Sequence, residues 1–277
     1  MRSLAILLWW IFVVFTILSI LACIESWIHY HRKPGIDTGD DQNGRYRYFV
    51  QSIRDQQSHV VGYALLLREY DEQSKQWHLP ERVADFPLSR VISVIQDLKP
   101  YLKSADTFIT LNVTATQVLD FRISRFIGWA QDVLPDQRLV FEISVSEFLQ
   151  SGYTKRRRLN QQLKEITSQG VSIIIEDVDS SMRTYLLLRD FLPNIQYLKF
   201  KAQAFNKSQD HWIDVTLGMW QKQLQNYHVQ MILEQVENPE QSRLADQLGI
   251  PYRQGYLYDR PRDISSHADR SKADELN

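Results

Sequence analysis

The chain has 277 residues, of which 44% are hydrophobic and 12% aromatic, a composition that can bury a large core and excludes a disordered chain. With 32 basic residues against 33 acidic ones the formal net charge is -1, so no overall field favours nucleic acid and none is expected as a partner. The single cysteine, Cys23, excludes an intramolecular disulfide and a multi-thiolate metal site.

The N-terminal 21 residues from Leu4 to Ile24 carry no charge. A helix needs about 20 apolar residues to cross the ~30 Å hydrocarbon core, so one crossing fits. Globular helices are seldom apolar on every face, and the apolar region of a signal peptide runs to only ~7–15 residues. Residues 1–33 therefore read as an uncleaved, single-pass anchor with its flank. A rival reading takes Ile20-Leu21-Ala22-Cys23 as a loose lipoprotein processing site, which would put the domain outside the cytoplasm; Leu21 is large for that role. Arg2 precedes the span and Arg32 with Lys33 follow it, which places the following domain in the cytoplasm, at the inner membrane. Trp27 and Tyr30 suit the membrane interface.

Residues 34–45 are rich in glycine, proline and aspartate and read as a solvated linker. Tyr46–Ile53 and Val60–Arg68 then form a hairpin pattern. After it, short β-type runs at Phe108–Val113, Leu139–Ile143, Val171–Ile175, Ile195–Phe200 and Val229–Leu233 alternate with segments of helical period. Those segments are Val91–Leu102, Val118–Val133, Val145–Ile166, Met182–Leu192, Trp212–Gln225 and Glu240–Leu248. With Pro251–Tyr256 as the last strand the count is eight, which points to an α/β fold, a TIM-type (β/α)8 barrel over residues 46–262. An open doubly wound sheet gives a similar pattern, but no glycine-rich dinucleotide fingerprint supports it. Residues 263–277 form a polar C-terminal tail.

Barrel active sites lie at the C-terminal ends of the strands, so the polar residues that close the apolar runs are the candidates. They are Asn112, Glu142, Glu176 with Asp177, Lys199, Glu234 and Gln254. One acidic residue at a strand end is more often a helix cap; a set spread over six strands points to a site. Carboxylates with an amide oxygen suit hard cations such as Mg2+ or Mn2+, and two such ions can drive hydrolysis of a phosphodiester.

At these residues the sequence resembles the EAL family, whose barrels bind cyclic di-GMP and cleave one of its phosphodiester bonds. Phe49-Val50-Gln51-Ser52-Ile53 is similar to the family's YQPI segment, and Gly62-Tyr63-Ala64-Leu65-Leu66-Leu67-Arg68 to G-x-E-A-L-L-R. Leu111-Asn112-Val113-Thr114 and Phe141-Glu142-Ile143-Ser144 resemble the L-N-L-S and E-I-T strands. Ile175-Glu176-Asp177-Val178-Asp179-Ser180-Ser181 stands at L-D-D-F-G-T-G, Leu198-Lys199-Phe200-Lys201 at L-K-I-D, and Leu233-Glu234-Gln235-Val236-Glu237 at A-E-G-V-E. Gln254-Gly255-Tyr256-Leu257 with Arg260-Pro261 matches the closing Q-G-Y-L-x-x-R-P.

The resemblance implies that Asn112, Glu142, Glu176 and Asp177 are metal ligands, with Mg2+ or Mn2+ as cofactor if the barrel is active and none otherwise. It makes Lys199 and Glu234 the catalytic pair in an active barrel, and Gln51, Arg68 and Gln254 the ligand-binding residues. The departures point the other way. The signature glutamate is Ala64, which supplies no oxygen; Glu176 is one methylene longer than aspartate; Lys201 replaces an acid; and Val178–Ser181 lacks the glycines that would give it positive backbone angles. The expectation is a catalytically inactive, membrane-anchored regulator that senses cyclic di-GMP or engages a protein partner. The alternatives are a residual metal-dependent phosphodiesterase and a barrel acting through protein contacts alone. The basic run Lys155-Arg156-Arg157-Arg158 reads as a solvated helix face.

Overall fold

The computed structural model describes residues 2–31, 46–80, 88, 91–98, 107–205 and 213–263. The linker, the tail beyond residue 263, residues 99–102 of one expected helix and Trp212 of another lie outside the described residues, as do the side chains of Trp27 and Tyr30.

The N-terminal helix α1 spans Arg2–His31, and within it Leu8–Glu25 is long and apolar enough to cross a membrane, with none of that stretch buried. The barrel follows. Its strands are β1 (Tyr46–Asp55), β2 (Val60–Asp71), β4 (Phe108–Asn112), β5 (Arg138–Ser144), β6 (Ser172–Val178), β7 (Tyr197–Lys201), β8 (Gln230–Glu234) and β9 (Tyr252–Arg253). Pairing runs β1-β2-β4-β5-β6-β7-β8-β9 and returns to β1, which closes the ring. From β2 to β9 the neighbours are parallel, whereas β1 is antiparallel to both of its partners, as the hairpin pattern implies. Tyr46 therefore sits opposite Glu69, at the end of the barrel where the parallel strands finish. Two short strands, β3 (Gln76–His78) and β10 (Arg262–Asp263), add to β2 and β1.

Strand alternation divides the apolar residues into two layers. Ile53, Phe108, Val140, Ile174, Tyr197 and Ile232 point inward and plug the lower half of the barrel, and Ala64, level with Thr110, packs on them from above. Their neighbours in sequence, such as Leu65, Ile109, Phe141, Ile173, Leu198 and Leu233, point outward against the helices. A β-carbon on Gly62 would lie 2.6 Å from the Phe108 ring, so glycine at that position is what admits the ring to the plug.

Helices α2 (Val91–Leu98), α3 (Ala115–Val118), α4 (Ile123–Val133), α5 (Val145–Leu149), α6 (Tyr153–Ser168), α7 (Met182–Leu188), α8 (Leu217–Leu224) and α9 (Pro239–Gln247) surround the strands. Two periodic segments read as single helices are each broken in two. Val118–Val133 is interrupted after α3, where the buried ion pair Asp120–Arg122 at 2.9 Å starts a new turn. Val145–Ile166 is interrupted at Gln150–Gly152, and Arg156 closes that break by donating from Nε to the carbonyls of Phe148 and Ser151. Part of the basic run is thus a structural clamp and the rest a solvated face, since Lys155, Arg157 and Arg158 are exposed.

Candidate functional site

On most strands the inward residue after the apolar plug is polar. Phe108 is followed by Thr110 and Asn112, Val140 by Glu142, Ile174 by Glu176, Tyr197 by Lys199 and Lys201, Ile232 by Glu234, and Tyr252 by Gln254. On the antiparallel β1 the order reverses, so Gln51 precedes Ile53. Strand β2 departs from this rule, because Ala64 is fully buried and Leu66 packs against the plug, leaving Arg68 as its first polar inward residue.

Glu142 and Lys199 are the deepest charged pair, with side chains 0% and 2% exposed and the Lys199 ammonium donating to Glu142 Oε1 at 2.6 Å. Burial alone would lower the Lys199 pKa, but the surrounding Glu142, Glu234 and Glu176 carboxylates outweigh it and raise it. Asn112 Nδ2 donates to Glu176 Oε1 at 2.6 Å. Loss of water, then the charge of Glu142, pushes the Glu176 carboxyl well above its ordinary value. Glu234 is pushed up to about 7, chiefly by burial, although its Oε1 accepts the backbone N–H of Asp177 at 3.1 Å.

The end of β6 is irregular. Its register with β7 shifts between Ile175 and Val178, and Asp177 has φ +62°, a left-handed conformation that is uncommon outside glycine and tolerated best by Asn and Asp. Strict alternation would turn Asp177 away from Glu176. The bulge instead brings Asp177 Oδ1 to 2.9 Å from Lys201 Nζ, with Ser144 Oγ donating to Oδ2 at 3.4 Å. The Val178–Ser181 loop, in contrast, has no positive φ; Asp179 Oδ1 accepts from the N–H and hydroxyl of Ser181, which caps α7. The loop without glycines thus takes up no positive backbone angle; the left-handed positions of the site are Asp177, one residue earlier, and Gln235, with φ +55° after Glu234.

Across the mouth, Gln254 Nε2 donates to Gln51 Oε1 at 2.9 Å, and Gln51 Nε2 donates to the Asp259 carbonyl at 2.8 Å. The Asp259 carboxylate accepts from the Ser52 N–H and holds the Arg262 guanidinium at 2.7 Å. Gly255 is required here, because a β-carbon on it would lie 2.2 Å from the Val236 carbonyl oxygen. Arg68 donates to the Leu67 carbonyl at 3.0 Å, and burial draws its pKa below the ordinary value. Sequence reasoning missed Asp259, Thr110 and Ser144. Asp259 lies just before the Arg-Pro pair of the last motif, and strand alternation flags both Thr110, two residues before Asn112, and Ser144, two residues after Glu142.

The donor set does not fit a two-metal centre. Among the described residues no three His, Cys, Asp or Glu side chains are grouped to hold a metal ion. One oxygen of each acid is already engaged: Glu142 by Lys199, Glu176 by Asn112, Asp177 by Lys201 and Glu234 by a backbone N–H. Asn112 Oδ1 and Glu142 Oε2 are the buried site oxygens of these residues left without a partner, and Ala64 contributes none.

Residues 42–261 match the EAL domain family. The chain belongs to that family. Over 172 residues, 60% of this chain, it is 26% identical to the cyclic di-GMP phosphodiesterase PdeB of Shewanella oneidensis, and it spans 19% of that relative's length. The EAL enzyme Bd1971, solved with cAMP and cyclic di-GMP bound, is similar with a TM-score of 0.66 at 16% identity, covering 94% of this chain and 70% of that one. BlrP1 of Klebsiella pneumoniae, in a complex with manganese and cyclic di-GMP, gives a TM-score of 0.60 at 16% identity, with 83% and 59% covered. The structural likenesses carry the EAL barrel fold; the nucleotide and the metal belong to those proteins.

Proposed function

We propose that this EAL protein is a membrane-anchored receptor that binds cyclic di-GMP without hydrolysing it and relays the bound state to a protein partner. The observation that carries the reading is Ala64. It occupies the position of the signature glutamate, is fully buried, and is opposite Thr110, whose buried hydroxyl Oγ1 has no hydrogen-bond partner. A carboxylate missing from a metal site lowers metal affinity and, with it, the means of activating water. The polar groups suited to a cyclic dinucleotide are retained: Arg68 for a phosphate, Gln51 and Gln254 for polar edges of the ligand. Helix α1 supplies the anchor, and the Arg32 and Lys33 flank orients the barrel to the cytoplasm.

Equilibrium dialysis of the full chain in detergent micelles against labelled cyclic di-GMP tests the binding. Saturable uptake that falls at least tenfold in Arg68→Ala is expected; no uptake by the wild type contradicts it. The second reading, a residual phosphodiesterase, is favoured by the two unpaired oxygens Asn112 Oδ1 and Glu142 Oε2. It requires that Ala64→Glu raise turnover and Lys199→Ala abolish it.

A further inference from the structure

Lys201 closes β7 on its inner face, two residues after Lys199, and its ammonium lies 2.9 Å from Asp177 Oδ1. Both side chains are about one third exposed, so this ion pair stands at the solvent-open end of the barrel, above the dry Lys199–Glu142 pair. The partner is brought there by the β6 bulge, without which Asp177 would face the other side of its strand. The site therefore holds four carboxylates, Glu142, Glu176, Asp177 and Glu234, against two ammonium groups, each in direct contact with a different acid. Carboxylates gathered this closely need a compensating cation, and an ammonium on the strand is one that cannot dissociate.

We infer that Lys201 is a built-in counter-ion that takes the place of a divalent cation beside Asp177, so that the pocket keeps its acids together and receives an anionic ligand without metal. An ammonium in place of the acid that the EAL pattern carries at this position changes the site by two positive charges, which is the charge of one divalent ion. The geometry agrees with this exchange: Lys201 engages one carboxylate oxygen of Asp177, and Asn112 turns its amide donor, not its oxygen, toward Glu176. The ligand half of the inference rests on the proposed cyclic di-GMP binding; the counter-ion half does not.

Titration of the tag-free full chain with Mn2+, followed by the electron paramagnetic resonance signal of the free ion, decides the counter-ion half. The wild type is expected to leave the signal unchanged at micromolar Mn2+, and Lys201→Asp to remove about one ion per chain. Lys201→Gln, which removes the charge without adding an acid, serves as a second variant; with Mn2+ about a hundredfold above its Kd, both variants are expected to melt at least ~5 °C higher than without the ion, and the wild type unshifted. Stoichiometric Mn2+ uptake by the wild type, or folded variants as indifferent to Mn2+ as the wild type, overturns the inference. Cyclic di-GMP dialysis in EDTA and in Mn2+ tests the ligand half. Affinities within about threefold are expected, and a loss of tenfold or more in EDTA overturns it. A wild type that takes up neither nucleotide nor Mn2+, alongside variants that bind Mn2+, would refute the receptor reading and leave Lys201 as the counter-ion.

Discussion

The lower and upper halves of the barrel interior are built from the same strands, two residues apart, and obey opposite rules. Below, Ile53, Phe108, Val140, Ile174, Tyr197 and Ile232 fill the interior with apolar and aromatic surface, and the Phe108 and Tyr197 rings stack at 5.9 Å. Above, almost every inward position is charged or an amide, and each acid is paired within the site. Strand β2 alone carries apolar character up into the polar level, through Ala64 and Leu66. The difference shows where the fold is held and where it is specialised. The lower half contributes cohesion, and the upper half is an electrostatic arrangement whose weak point is the strand that brings no acid.

The sharpest way to break this comparison is Phe108→Ala. It opens a cavity in the plug and should cost about 3–5 kcal/mol in thermal unfolding, while cyclic di-GMP affinity measured well below the melting temperature stays within about twofold. Lys199→Ala should cost about 3–4 kcal/mol, because it leaves Glu142 buried without its cation, and unlike the plug variant it should also weaken nucleotide binding. Equal behaviour of the two variants in dialysis would erase the distinction between the halves.

Glu234→Gln works in the other direction. The Glu234 carboxyl, raised from 4.5 to about 7, holds its proton longer in the folded state than in the unfolded one. Folding stability therefore declines as pH rises from about 4.5 to about 7, and the deficit persists above that range. The amide variant should be more stable than the wild type by about 1–3 kcal/mol at pH 8 and nearly equal to it at pH 4. Melting curves at the two pH values check the sign; a variant less stable at pH 8 contradicts it. The smallest effect is expected at the basic run of α6, where Arg156→Ala should cost about 1 kcal/mol through two lost hydrogen bonds to carbonyls and Lys155→Ala less than about 0.5 kcal/mol.

Much of this arrangement was legible in the sequence because a strand has a period of two. Once Ile173, Ile174 and Ile175 mark β6, Glu176 must follow Ile174 on the inner face, and the same step places Asn112, Glu142, Lys199, Glu234 and Gln254. The hairpin at the start was legible in two β-type runs around a short polar turn, whereas the missing acid at Ala64 was legible only through the resemblance to the EAL signature strand. What the pattern could not supply were features set by three-dimensional register. Asp177 should have pointed outward, and it faces Lys201 because the β6–β7 pairing slips at the bulge. The breaks in the two long periodic segments depend on the Asp120–Arg122 pair and on Arg156 reaching two carbonyls, contacts that helical periodicity does not encode. Asp259 was passed over because it closes no apolar run, yet its backbone and carboxylate hold both β1 and Arg262.

The receptor reading turns on whether the nucleotide survives in the pocket. Full-length protein incubated overnight with cyclic di-GMP and Mn2+, then denatured and resolved by chromatography, reports the bound nucleotide directly. Recovery of intact cyclic di-GMP in proportion to protein is the predicted result; conversion to the linear dinucleotide at about 1 turnover per second or faster would contradict it.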